Sequence, residues 1–168
     1  LAPVSPVRFV GASSGSERSG GVGASRIVFT GTGDLFRLNA ESWVTSFRFE
    51  NLDLEGPGKG TTTVGINFRN ATLHIVDCYI SKFGTGVVLD NAWLSQVHRS
   101  FFDMNGVSVE IKENGNQVVF YGNRMNTANR AIKISNNCHS LVFDSNSFEY
   151  NEYVFEIGDY QVDELRIE

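Results

Sequence analysis

Acidic and amide side chains hold one position of a repeat in this 168-residue chain. The position directly follows the apolar residues Ile80, Phe102, Met125 and Phe148, and it is occupied in order by Ser81, Asp103, Asn126 and Glu149. Glu152 lies three residues beyond the last of these. Two carboxyl groups that face one substrate can act as the acid and the base of glycoside hydrolysis. Asp103, Glu149 and Glu152 are therefore the candidate catalytic residues.

The expected separation of Asp103 and Glu149 is compatible with that chemistry. The two residues stand two repeats apart, and neighbouring strands lie about 4.8 Å apart, so their backbones should be about 10 Å from each other. This value is near the upper end of the roughly 6.5–9.5 Å that separates acid and base in an inverting glycosidase. Glu152 is an equal candidate for either role. Solvated acids without a catalytic role are the alternative, and the sequence leaves both open.

The same loops also carry aromatic and cationic side chains. Acids, amides, rings and an arginine in one place suit sugars, whose hydroxyl groups form hydrogen bonds and whose C–H faces pack on aromatic rings. The candidate carbohydrate-binding residues are Arg130, Lys133, Tyr150 and Tyr153. A lyase would instead need a cation beside an acidic substrate, and Arg130 with Lys133 is the place that offers one.

Neither a metal nor a cofactor is expected. The chain has two cysteines, Cys78 and Cys138, which show neither the spacing of metal ligands nor a CxxC motif. In the repeat they occupy different corners about three coils apart, which is too far for a disulfide. Two free thiols are the prediction.

Apolar series with a common period position these side chains. Steps of 22, 23 and 23 residues separate Leu89, Ile111, Ile134 and Ile157, and the same steps separate Ile75, Val97, Phe120 and Phe143. The apolar blocks alternate with period 2, as strands do. The sequence therefore predicts an all-β fold, a parallel β-helix of about six coils of 20–30 residues with three short parallel sheets. A leucine-rich repeat has a similar period, but its Leu-x-x-Leu-x-Leu-x-x-Asn motif is absent.

One short corner of the predicted coil is uniform. It is held by Cys78, Ser100, Asn123 and Asn146. Asparagine tolerates the left-handed backbone of a tight turn, and stacked amides can bond one coil to the next. The prediction for this corner is a structural role.

Two outward faces of the predicted coil differ in composition. Beside Leu89, charges alternate in the columns Asn67, Val88, Glu110, Lys133, Glu156 and Arg69, Asp90, Lys112, Ser135. A solvated ionic ladder and a polar ligand groove both remain open there. Beside Ile75, the outward positions include Val76, Val119, Tyr121 and Val142. So apolar a face should be covered, either by another part of a longer chain or by a neighbouring subunit, and the favoured prediction is a homotrimer that forms through this face.

Bulk properties exclude some partners and divide the chain. A net charge of −5 without a Lys/Arg cluster argues against nucleic acid, and no apolar run is long enough for membrane insertion. Residues 1–24 are predicted to be a Gly/Ser-rich entry segment, in which Val7 and Phe9 can form a first strand. Residues 25–168 are predicted to be the β-helix. Leu165 and Ile167 begin a further strand near the end, as expected of a piece of a longer chain.

A family resemblance rests on the repeated block of strand, Asn-containing corner and apolar residue. Residues 119–125 and 141–148 contain this block, and a strand such as residues 131–134 follows it. This arrangement resembles the pectate-lyase-like right-handed β-helix superfamily. Residues 23–36 and 47–54 are similar to the entry coils of bacteriophage tailspikes. The resemblance implies a trimeric virion protein of the phage tail that binds, and often cleaves, bacterial surface polysaccharide.

Three functions follow as expectations. The first is a tailspike-like virion protein that binds and depolymerises surface polysaccharide. The second is a secreted polysaccharide lyase or hydrolase, although the clustered Asp residues and Arg base of pectate lyases are not found in the sequence. The third is a non-catalytic β-helical shaft, so whether the chain is an enzyme stays open.

Overall fold

The computed structural model describes residues 7–12 and 25–168, and within those ranges the chain is all β with no helix. Its strands pair in parallel and stack as a β-helix of about six turns, as predicted. Most of the predicted entry segment, residues 1–6 and 13–24, lies outside the described residues. Val7 and Phe9 do lie in a strand, which pairs with the body of the helix.

The strands form three stacks, each named here for one buried residue. The Leu89 stack consists of the first parts of β3 (Asp34–Glu50) and β5 (Val64–Val76), then β7 (Thr85–Asp90), β10 (Val107–Lys112), β13 (Arg130–Ile134) and β16 (Tyr153–Ile157). The Phe120 stack consists of β1 (Val7–Val10), the second parts of β3 and β5, then β8 (Gln96–His98), β11 (Gly115–Tyr121), β14 (Cys138–Asp144) and β17 (Val162–Ile167). The Phe102 stack consists of β2 (Ser25–Val28), β4 (Leu52–Glu55), β6 (Tyr79–Ser81), β9 (Phe101–Asp103), β12 (Arg124–Asn126) and β15 (Ser147–Glu149).

The pairing register confirms the predicted period. Leu89 lies beside Ile111, which lies beside Ile134, and Ile134 lies beside Ile157. Because β3 and β5 run through one corner without a break, the Leu89 and Phe120 stacks join into a single sheet of eleven strands. The Phe102 stack is a separate sheet of six strands.

Inward-pointing side chains from all three stacks fill one continuous core. Ile75, Leu89, Phe102 and Phe120 are completely buried. The rings of Phe120 and Phe143 stack with their centroids 4.6 Å apart, close to the strand spacing. Each coil therefore packs its apolar side chains on those of the next coil.

The insertion at residues 56–60 covers one corner of this core. A Cβ atom on Gly56 would lie 2.6 Å from the ring of Phe83, which is completely buried. Glycine is required there because the backbone passes directly over that ring.

Amide side chains link the coils at the uniform corner, as predicted. Asn123 Oδ1 accepts from the backbone N–H of Ser100 at 2.9 Å, and Asn123 Nδ2 donates to the carbonyl of Val97 at 2.7 Å. One coil further along, Asn146 forms the same two bonds, with the backbone N–H of Asn123 and the carbonyl of Phe120. The residues with left-handed backbone, however, directly precede the four corner residues Cys78, Ser100, Asn123 and Asn146. They are Asp77, Arg99, Gly122 and Ser145. The asparagines are selected for bonding between coils rather than for the turn.

Both cysteines are buried and free, as predicted. Burial raises the pKa of Cys78 and of Cys138 to about 11 each. Each is therefore a neutral thiol at physiological pH, packed in the core rather than available as a nucleophile.

Replacing Asn123 by Ala should destabilise the fold. The change removes the hydrogen bonds that Asn123 forms with the buried N–H of Ser100 and with the carbonyl of Val97, and we expect a loss of about 2–3 kcal/mol in the free energy of unfolding. Urea denaturation followed by circular dichroism measures it. Asn137→Ala is the matched control, because Asn137 is exposed and accepts one hydrogen bond, from the N–H of Gln161. Equal losses in the two variants would contradict a special role for the corner amides.

Candidate functional site

The predicted column of polar residues exists on the outward face of the Phe102 stack. Strand pairing places in one line Glu55, Ser81, Asp103, Asn126 and Glu149. A second outward line, two residues earlier on each strand, contains Arg26, Asp53, Tyr79, Phe101, Arg124 and Ser147. We call the two lines together the acidic strip. Asp103 and Glu149 are separated by one intervening strand, the predicted two-coil spacing.

Aromatic and cationic groups follow one another along the second line. The rings of Tyr79 and Phe101 have their centroids 5.1 Å apart, and the guanidinium of Arg124 lies 5.4 Å from the centroid of the Phe101 ring. Both rings are half-buried. The strip therefore offers ring surface flanked on its other line by carboxylates and amides.

A buried carboxyl group lies on β4, the second of the six strands of the strip. Asp53 is only 4% exposed, and burial raises its pKa, although Arg26 and Lys82 partly offset the effect. Its Oδ2 lies 3.6 Å from Arg26 Nε, whereas its Oδ1 has no partner among the described residues. Glu55 holds the two cations, through an ion pair with Arg26 and a 2.8 Å hydrogen bond from Lys82.

Asp103, the first candidate catalytic residue, is paired with a tyrosine. Tyr79 Oη donates to Asp103 Oδ2 at 3.2 Å. Burial raises the pKa of Tyr79 far above its ordinary range, and the charges of Asp103 and Asp53 add to the effect. Tyr79 therefore remains a neutral hydrogen-bond donor between two carboxyl groups.

Glu149, the second candidate, is held in its charged form. Arg124 donates to Glu149 Oε2 at 2.9 Å and lowers the pKa of that carboxyl group, with a smaller contribution from Ser147. An ionised carboxylate suits the role of base rather than that of acid. The structure thus gives the two members of the predicted pair different partners.

The corner after the strip brings together some of the predicted sugar-binding residues. Arg130 pairs with Glu156 and lies 6.0 Å from the centroid of the Tyr153 ring. Tyr150 is 85% exposed, and Glu152 is also exposed. Lys133 instead binds Glu110 at 3.0 Å on the outward face of the Leu89 stack. Arg130 and Tyr153 are therefore neighbours, while Lys133 belongs to the ionic ladder.

This corner is more regular than its sequence suggests. Left-handed residues recur in it at the coil spacing, at Lys82, Met104, Thr127 and Tyr150. Asn105 and Asn151 each bond the preceding coil with both ends of the amide. These two asparagines are structural, and the strip and the exposed rings are what remains for a ligand.

Sequence reasoning named neither Asp53 nor Tyr79. The signal was present, because Asp53 lies two residues before Glu55 and period-2 alternation places both on one face. The predicted column followed only the position directly after each apolar anchor, as at Glu55 after Leu54, and did not include the outward position two residues earlier, although 22 residues separate Tyr79 from Phe101.

The face predicted to form a homotrimer is mixed in composition. Val76 is buried, Val119 and Val142 are half-buried, and Tyr121 is 45% exposed. His98 stands between Val76 and Tyr121 in the same line, and its Nε2 has no partner among the described residues. Burial lowers the pKa of His98. Self-association through this face stays a prediction.

Within residues 7–12 and 25–168, no group of three or more His, Cys, Asp or Glu side chains could hold a metal ion. The same part of the chain contains no helix long and apolar enough to cross a membrane. No protein-family model, no curated protein and no solved structure matches the chain. What the structure supports of the family resemblance is the parallel β-helix itself.

Replacing Asp53 by Asn should change how stability depends on pH. The raised pKa of Asp53 means that ionisation destabilises the folded state as the pH rises above the unfolded-state pKa near 3.9. We therefore expect the variant to gain stability relative to the wild type between about pH 3 and about pH 7, as measured by urea unfolding.

Glu149→Gln is the control, because its stability relative to the wild type should change with pH in the opposite direction. The lowered pKa of Glu149 means that its charged form favours the folded state above the unfolded-state pKa, and this contribution is lost as the pH falls. This variant should lose stability relative to the wild type over the same rise in pH. Parallel pH profiles for the two variants would contradict the assigned environments.

Proposed function

We propose that this β-helix binds bacterial surface polysaccharide along the acidic strip, as a tailspike-like virion protein does. The observation that carries the proposal is the register of the Phe102 stack, which sets three carboxylates, one amide and a serine in one line and places two adjacent aromatic rings in the next. Sugars use both kinds of contact, since their hydroxyl groups bond to polar oxygens and their C–H faces pack on rings. Few other ligands need the two lines side by side.

The dimensions of the strip favour a polymer over a single sugar. Six strands at about 4.8 Å spacing extend over roughly 24 Å. The strands are tied to the rest of the helix by backbone hydrogen bonds at every coil, so the contacts are preorganised and binding requires little ordering of the protein. The exposed rings of Tyr150 and Tyr153, with Arg130, continue this surface around the corner.

The proposed location of such a protein is the virion tail, where a rigid β-helix projects a binding face toward the bacterial cell. A secreted polysaccharide lyase or hydrolase is the alternative with the same ligand. A structural shaft is the alternative without a ligand, and it predicts no affinity for any glycan.

Removing one ring or one carboxylate from the strip should weaken polysaccharide binding. We expect Phe101→Ala and Asp103→Asn each to reduce affinity by roughly tenfold, the change typical of a central contact. Titration calorimetry with purified capsular and O-antigen polysaccharides measures the affinity.

Tyr160→Ala and Asp159→Asn are the matched controls for these variants. They remove the same chemical groups from exposed positions in the last coil. Equal affinities of the strip variants and the controls would contradict binding at the strip.

Hydrolysis is the second candidate function, and the raised pKa of Asp53 favours it. A general acid must be protonated at the working pH, and burial of Asp53 raises its pKa, which is a change in that direction. Asp103 lies two coils away on the other side of Tyr79 and is the matching candidate for the base. In this scheme Asp53 is the general acid and the predicted residue Asp103 is the base. Glu149 is an ionised carboxylate that binds the substrate.

If the chain hydrolyses a polysaccharide that it binds, Asp53→Asn and Asp103→Asn should each lower the rate by at least about 100-fold, because each removes a proton-transfer group. Reducing ends released per unit time measure hydrolysis, and the ultraviolet absorbance of unsaturated uronate detects a lyase. Glu152→Gln tests the third predicted acid in parallel. Unchanged rates in Asp53→Asn and Asp103→Asn would contradict this assignment, and a bound but intact polymer would favour a pure binding protein.

A further inference from the structure

The chain contains two tryptophans, and the fold brings them together far from one another in sequence. The rings of Trp43 and Trp93 have their centroids 5.4 Å apart and are inclined at 45°. Trp43 is 37% exposed and Trp93 47% exposed. Two large apolar rings that remain partly in water mark a surface with a purpose other than packing the core.

An irregularity in the sheet produces this pairing. Between Asn39 and Val44 the ladder of β3 advances five residues while its partner β5 advances only two, from Arg69 to Ala71. The extra residues of β3 form a bulge that carries Trp43 outward. Trp93 lies in the corner between β7 and β8, where it forms an isolated parallel bridge with Asn116.

The two rings line a cavity of about 530 Å³ together with Glu41, Asn70 and Asn91. This volume is within the usual range of small-molecule pockets. Asn70 Nδ2 donates to the carbonyl of Ala40, and Asn91 Nδ2 donates to Asn70 Oδ1. The chain of amides ends at Asn91 Oδ1, which is buried and has no partner among the described residues.

A second, polar cavity continues from the first at the same corner. It measures about 180 Å³ and is lined by Arg37, Leu38, Asn39, Asn67, Arg69 and Asp90. Arg69 and Asp90 line this cavity, and the residues that directly follow them, Asn70 and Asn91, line the other. Asp90 Oδ1 is also buried without a partner among the described residues. The consecutive residues Asp90 and Asn91 thus each contain a buried oxygen without a partner among the described residues.

We propose that this tryptophan corner is a second saccharide-binding site, which takes a neutral oligosaccharide. The indole rings offer stacking surface for the C–H face of a pyranose, and Glu41 and Asn91 offer acceptors for its hydroxyl groups. Glu41, the charged residue that lines this cavity, disfavours an acidic sugar by charge repulsion. The corner joins the Leu89 and Phe120 stacks, whereas the acidic strip lies on the Phe102 stack, so the two sites are separate surfaces of the helix.

The choice of a saccharide as the ligand rests on the proposed function, but the position of the site does not. A carboxylate and two amides lie around the two rings at this corner, and hydrogen-bonding groups beside a stacking surface are the contacts that a saccharide uses.

Tryptophan fluorescence tests the site directly, because both indoles of the chain lie in it. Cellohexaose, maltohexaose, mannohexaose and chitohexaose are each titrated into the full chain, with trigalacturonate as the acidic comparison. We expect at least one neutral hexasaccharide to shift the emission and to saturate, and trigalacturonate to leave it unchanged. The proposal is overturned if no neutral hexasaccharide changes the emission at millimolar concentration.

Variants separate this site from the strip. Trp93→Ala should weaken binding of the active hexasaccharide by roughly tenfold or more, and the surface variant Glu41→Ala should weaken it without a change in the thermal unfolding temperature. Tyr160→Ala, which removes an equally exposed ring elsewhere, should leave it unchanged. Wild-type affinity in both Trp93→Ala and Glu41→Ala overturns the proposal.

Two further measurements separate failure of the second site from failure of the strip. They are the polysaccharide affinity of Phe101→Ala and the dependence of the emission on protein concentration without sugar. Loss of polysaccharide affinity in Phe101→Ala, with no response of the tryptophans to any hexasaccharide, overturns the second site and leaves the strip intact. A tryptophan response with unchanged affinity in Phe101→Ala supports the second site and overturns the strip. An emission shift that follows protein concentration without sugar identifies the ring pair as a contact between copies and overturns the proposal.

Discussion

Every surface of this molecule depends on the parallel hydrogen bonding between successive coils. That bonding fixes neighbouring strands at about 4.8 Å and holds their register, so a residue 22 or 23 positions away becomes a side-chain neighbour. The buried line of Leu89, Ile111, Ile134 and Ile157 and the outward line of Asp103, Asn126 and Glu149 are consequences of one constraint. Core and candidate site cannot be altered independently, because a slip of one residue would exchange them.

The same constraint explains how much could be predicted from the sequence. Where the period is 22 or 23, as from Ile75 to Phe143, the sequence predicts strands, core and columns together, since alternation and register suffice to place each side chain. Asn123 and Asn146 were likewise identified as links between coils. The reason given for them was partly wrong, because left-handed backbone falls on the preceding residue, a detail of turn geometry that the period does not carry.

Prediction failed where the chain departs from its period. The bulge between Asn39 and Val44 adds residues to one strand only, so no constant step relates Trp43 to Trp93. Asp53 was missed for a different reason, because the predicted column followed the position directly after each apolar anchor, as at Glu55, and not the outward position two residues earlier. Irregular coils are the places where a solenoid can shape a cavity or bury an acid, because a strictly repeated coil yields only a uniform ladder.

The distribution of unsatisfied polar atoms separates structural amides from those of the candidate sites. Asn105, Asn123, Asn146 and Asn151 use both ends of the amide to bond backbone of neighbouring coils. In contrast, buried oxygens without a partner among the described residues occur at Asp53 and Asn126 in the strip and at Asp90 and Asn91 beside the tryptophans, and a fifth, Ser108 Oγ in β10, lies in neither surface. A buried polar atom without a partner costs stability, typically about 1–3 kcal/mol, and the fold gains nothing from these five. Four of these five oxygens lie in the two surfaces that are proposed to bind saccharides, where hydroxyl groups of such a ligand would supply the missing partners.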